Sequence, residues 1–121
     1  NMRMLRLVVL IGVLLSGAAC VKDPGPIPAN MSRIKVVCKG LYLNSILVNV
    51  TETASGQLAG VTQELGCILY DVAYFDVPVP PNSYDVNVGG TPKYKTATFN
   101  GAGEQVTVRI TAVLISYGAD I

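Results

Sequence analysis

From Ser32 onward, apolar side chains fall on every second residue, and this period of two restricts the fold more than any other feature. In "RIKVVCK", Ile34, Val36 and Cys38 share one face, with Arg33, Lys35 and Val37 opposite. Ile46, Val48 and Val50 align in "NSILVNVTET", and Tyr84, Val86 and Val88 alternate with Asp85 and Asn87 in "SYDVNV". "CILYDVAYFDV" (Cys67 to Val77) and "PKYKTATFN" supply further extended runs. The last run, "EQVTVRITAVLISY", sets Val106, Val108, Ile110, Ala112 and Leu114 against Thr107, Arg109 and Thr111. Side chains alternate across a strand, so each run offers one face for burial. Short strands separated by turns about every ten residues predict an all-β class, a single small β-sandwich of about seven strands. At 121 residues the chain has length for one domain.

The amino terminus follows a different logic. Arg3 and Arg6 precede the unbroken apolar run "LVVLIGVLL", and small residues then lead into a cysteine in "SGAAC". A basic flank, a short apolar stretch and a small-residue exit are the parts of a secretory signal, and the stretch is short for a membrane span. The placement of Cys20 resembles the bacterial lipobox, although Gly17 stands where Leu is usual. The resemblance implies that residues 1–19 are a lipoprotein signal peptide and that Cys20 is lipidated, which would join the chain to a membrane. Val21, rather than Asp, follows the cysteine, as in lipoproteins sorted to the outer membrane. The prolines of "VKDPGPIPAN" predict a stiff, extended tether over residues 20–31, ahead of the sandwich at 32–121.

Nine Lys and Arg residues less Arg3 and Arg6 leave seven against eight acids, a nearly neutral mature chain. No basic stripe interleaved with aromatics supports nucleic-acid binding. There is no histidine, so nucleophile activation by a Ser–His or Cys–His pair has no base. Two cysteines cannot complete a zinc site, and Asp71, Asp76 and Asp85 follow no calcium-loop spacing. The reading is a non-enzyme without cofactor. In an exported chain Cys38 and Cys67 are either a disulfide or two small buried hydrophobes.

Between Ile46 and Phe99 the order of features is more specific: a strand, the Ser-Gly turn, a Thr-bearing strand ending in Gly66, "FDVPVPPNSYDVNV", and "TPKYKTATF". This resembles the carboxypeptidase regulatory-like, or transthyretin-like, family and its collagen-adhesin B-type relatives. Pro80, Pro81, Asn82, Ser83, Tyr84, Val86 and Val88 stand in the family's "PPGxYxVxV" positions, with Asn82 where Gly is usual. Asn tolerates the left-handed conformation, so Asn82 is expected to take the bend. The family's urate-pathway hydrolase uses histidines, which this chain lacks. Its internal isopeptide bond needs an Asn that the last strand does not contain, leaving Lys35 or Lys39 without a partner.

The sequence therefore predicts a membrane-anchored, non-catalytic binding or structural lipoprotein of the cell envelope, facing an envelope protein complex or a glycan. The alternative is an accessory or assembly lipoprotein of a secretion or pilus machine. Tyr70 and Tyr74, on one side of "ILYDVAYF" with Phe75 on the other, are the candidate binding surface. The competing reading places these rings over the core or its rim.

Overall fold

The computed structural model describes residues 23–112 and 119–121. The signal segment, Cys20 and Leu114 lie outside the described residues. The strands are β1 (Met31–Gly40), β2 (Ile46–Glu52), β3 (Gln63–Leu65), β4 (Asp71–Pro78), β5 (Ser83–Val88), β6 (Tyr94–Thr98), β7 (Gln105–Ala112) and the two-residue β8 (Ala119–Asp120). They form two four-stranded sheets, ordered β4-β1-β7-β8 and β3-β2-β5-β6. The class is all-β, as the alternation requires. Every pair is antiparallel except β1 with β7.

The inward faces of both sheets form one core. Ile34, Val36 and Cys38 of β1 meet Val48 and Val50 of β2, Val86 of β5 and Ile110 of β7, all buried. Register explains the match: Ile34 lies between Phe75 and Val106, and Val36 between Ala73 and Val108. Burying a side chain of this size contributes roughly 1.5–3 kcal/mol. This shared apolar layer is what holds the sheets together.

Glycine is required where β1 ends. A Cβ on Gly40 would lie 2.0 Å from the carbonyl oxygen of Ala112, its parallel partner on β7. At the other end the chain turns through "VPVPPNSY", where the Val79–Pro80 and Pro80–Pro81 peptides are both cis. Asn82 does not take the left-handed conformation expected of it; among the described residues the non-glycine residues that do are Asn30 and Leu69. Asn82 instead clamps β5 to the end of β6. Its Nδ2 donates to the Phe99 carbonyl at 3.0 Å, and its own carbonyl accepts from Phe99 N at 2.8 Å.

Two further expectations need correction. "CILYDVAYFDV" is not one strand: β4 starts at Asp71, and Cys67–Tyr70 lies in the loop after β3, where the Asp71 carboxylate accepts from the Gly66 N–H. The start of the proline segment is not a free spacer. Arg33, on the outer face of β1 yet only 4% exposed, donates to the carbonyls of Pro24, Gly25 and Pro26. Its Nε and Nη2 also bind the two carboxylate oxygens of Asp76, at 2.7 and 3.1 Å. A guanidinium has five donors in a rigid fork, and here that fork latches residues 24–26 onto the sheet.

Candidate functional site

The outward face of sheet β4-β1-β7-β8 carries side chains that the core does not use. Parallel pairing sets Val37 beside Arg109 and Lys39 beside Thr111. Tyr70 leans in from the loop before β4, and these residues with Ile110 line an open groove of about 200 Å³. Alternation along β1 and β7 gives the groove its charge, since positions 37, 39, 109 and 111 all point away from the core. Among the described residues its lining contains two cations and two hydroxyls. Neither Lys39 nor Arg109 has a salt bridge among the described residues. Such an arrangement suits an anionic group, with the Tyr70 ring as an apolar wall.

The structure separates the two predicted tyrosines. Tyr70 is exposed in the groove, whereas Tyr74 lies further along β4, opposite Lys35. The Arg33 guanidinium carbon stands 5.8 Å from the centre of the Tyr74 ring, a cation–π distance. Tyr74 therefore belongs to the latch, and Phe75 points into the core as expected. Asp76 hydrogen-bonding raises the Arg33 guanidinium above its usual value, against the opposing effect of burial.

Cys38 and Cys67 are joined by a disulfide with Cα atoms 5.0 Å apart. The bridge ties the Cys67–Tyr70 loop to β1 one residue before Lys39. An isolated parallel bridge also pairs Ile68 with Gly40. One step beyond it on each segment, Leu41 is 70% exposed and Leu69 is 87% exposed. Leu69 holds φ at +68°, a conformation costing a residue with a Cβ roughly 1–2 kcal/mol. A β4 that starts four residues late produces this apolar tip.

Asp71, Asp76 and Asp85 do not converge. Asp71 caps the loop, Asp76 pairs with Arg33, and Asp85 accepts from Thr53 and Thr96 on the other sheet. Among the described residues no three His, Cys, Asp or Glu side chains come together to hold a metal. Lys39, Arg109 and Leu69 are not among the binding residues the sequence predicts. The first two look like ordinary outward positions until β7 is known to pair with β1, and Leu69 looks like a strand residue. No protein-family model, curated protein or solved structure matches the chain.

Proposed function

We propose that this chain is a membrane-anchored, non-catalytic binding or structural lipoprotein of the bacterial cell envelope, with a transthyretin-like sandwich as its scaffold. The anchor is Cys20, and the outer membrane is its destination. The observation that carries the binding reading is the groove lined by Lys39, Tyr70 and Arg109. Two cations without a salt bridge among the described residues flank an aromatic wall, and a disulfide fixes the loop that supplies it. A surface built this way recognises an acidic group, such as an envelope glycan bearing carboxylates or a phosphorylated headgroup.

Mass spectrometry of the amino terminus of the protein expressed in a bacterial envelope tests the anchor. The expected product begins at Cys20 and carries acyl chains. A first residue other than Cys20, or an unmodified thiol, removes the lipoprotein reading.

A further inference from the structure

Charge is distributed unevenly over the two sheets of the folded domain. Glu52, Glu64 and Asp85, together with Lys95, belong to sheet β3-β2-β5-β6. Lys35, Lys39 and Arg109 project from the outer face of the other sheet, on the same alternation as Arg33 and Val37. The Asp76 carboxylate on that face is taken up by Arg33. Asp71 lies opposite Cys38 and is bound to the Gly66 and Val72 N–H groups. Asp120 of β8 pairs with Thr111, and Lys35, Lys39 and Arg109 still give the outer face of this sheet an excess of basic residues.

The same face is where the amino-terminal segment leaves the domain. Residues 24–26 lie on Arg33, and Pro24 follows Cys20 by only four residues in the sequence. A lipid anchor at Cys20 would thus be separated from this face by only three intervening residues. Some seven residues further along β1, roughly 23 Å at about 3.3 Å per residue, the face ends in the apolar tip. There Leu41 and Leu69 are 70% and 87% exposed, and exposed Ile68 and Tyr70 flank Leu69. Apolar side chains at the rim of a cationic face match a bilayer in both chemistries. The cations meet lipid phosphates, and the leucines and the tyrosine enter the boundary between headgroups and acyl chains.

We propose that the outer face of sheet β4-β1-β7-β8 lies against an anionic phospholipid surface, with Leu69 and Leu41 inserted at the end remote from the tether. Resting on the lipoprotein reading, this gives the domain two membrane contacts, the acyl anchor at one end and the leucine tip at the other. It also gives the left-handed Leu69 a role: the strained loop displays an apolar side chain that the core does not need. The disulfide two residues earlier holds the tip at the rim.

The chain contains no tryptophan, so Leu69→Trp introduces a single reporter. The full chain is incorporated in vesicles of phosphatidylglycerol and phosphatidylcholine, or of phosphatidylcholine alone, with brominated acyl chains as quenchers. Insertion predicts blue-shifted emission quenched by bromine in the phosphatidylglycerol vesicles. Lys39→Glu/Arg109→Glu in the same background, or high salt, should abolish the quenching while circular dichroism stays unchanged. Were soluble vesicle-binding measured instead, neutralising both cations would weaken it roughly 30-fold. Leu41→Trp repeats the test should Leu69→Trp disturb the loop. Solvent-exposed emission, quenched by acrylamide and not by bromine, overturns the proposal and assigns the tip to a protein or to nothing. Quenching that is equal in pure phosphatidylcholine, or that survives the double charge reversal, overturns the anionic-surface claim. Mass spectrometry of Cys20 reads the anchor separately. A lipidated chain with an unquenched reporter sinks the docking alone, and an unlipidated chain with a quenched one sinks the anchor alone.

Discussion

The hydroxyl of Tyr84 donates a 2.5 Å hydrogen bond to the main-chain carbonyl of Pro78, tying the start of β5 to the end of β4 across the proline corner. The ring is fully buried and meets Phe99 edge-on, with centroids 6.5 Å apart. Two strands that belong to different sheets are thus joined through one side chain.

Burial, and secondarily the charge of Glu52, raises the Tyr84 phenol above its ordinary value. An unfolded tyrosine titrates near pH 10, so above that point the unfolded chain releases a proton that the native state retains. The stability linked to Tyr84 is complete below about pH 10 and is lost as pH rises through the folded-state value. Tyr84→Phe should cost about 1–2 kcal/mol at neutral pH, because the Pro78 carbonyl loses its donor. It should also flatten the alkaline decline. Urea unfolding at a series of pH values measures both effects, and an unchanged alkaline slope in Tyr84→Phe would place the titration elsewhere.

Gly40→Ala should destabilise the fold by about 1–3 kcal/mol, as overpacking does in a closed site. The added Cβ meets the backbone oxygen of Ala112 at 2.0 Å, and no rotamer change relieves a clash between main chains. Gly101→Ala is the control, since nothing lies within 4 Å of its Cβ. Thermal unfolding should separate the two variants clearly, with Gly101→Ala within about 0.5 kcal/mol of the parent.

Reducing the Cys38–Cys67 bridge, which closes a separation of 29 residues, should remove about 3–4 kcal/mol on the chain-entropy account. Cys38→Ala/Cys67→Ala should lose a similar amount. The loss is expected to be local as well as global. Amide exchange at Ile68, Leu69 and Tyr70 should accelerate more than at Val36 or Val86, whose strands keep their ladders. Uniform acceleration would mean that the bridge does not specifically fix this loop.

The fold class was legible because alternation is local: Ile34, Val36, Cys38 and Tyr84, Val86, Val88 declare their buried faces without reference to any partner strand. Which strands pair is not local. The parallel union of β1 with β7 sets Val37 beside Arg109, and no pattern within either run encodes it. The groove therefore stayed invisible, although Tyr70, one of its walls, was named. Asn82 was misjudged for a related reason. Its residue type permits a left-handed bend, but the nearby Phe99 main chain gives its side chain and its carbonyl better use. The burial of Arg33 is not legible from its outward position on β1, because the proline-rich segment that covers it carries no pattern pointing to the sheet.

The Arg33–Asp76 pair allows that last point to be tested from both sides. The Arg33 side chain is 5% exposed and that of Asp76 28%, so the two partners are unequally able to recover water. Asp76→Asn leaves a buried guanidinium with carbonyls alone and should cost about 1–3 kcal/mol, below the roughly 3–5 kcal/mol of a fully buried pair. Arg33→Met leaves a carboxylate that reaches solvent and keeps apolar packing over β1, so its global cost should be smaller. Its local effect should be the larger one. A thioether in place of the guanidinium offers no donor to Pro24, Gly25 or Pro26, and the segment before Met31 should lose its hold on the sheet. Limited proteolysis should then cut between residues 23 and 30 faster in Arg33→Met than in Asp76→Asn, with the core equally protected in both. If Asp76→Asn opened the segment more, the carboxylate rather than the carbonyl contacts would be what holds the chain against the sheet.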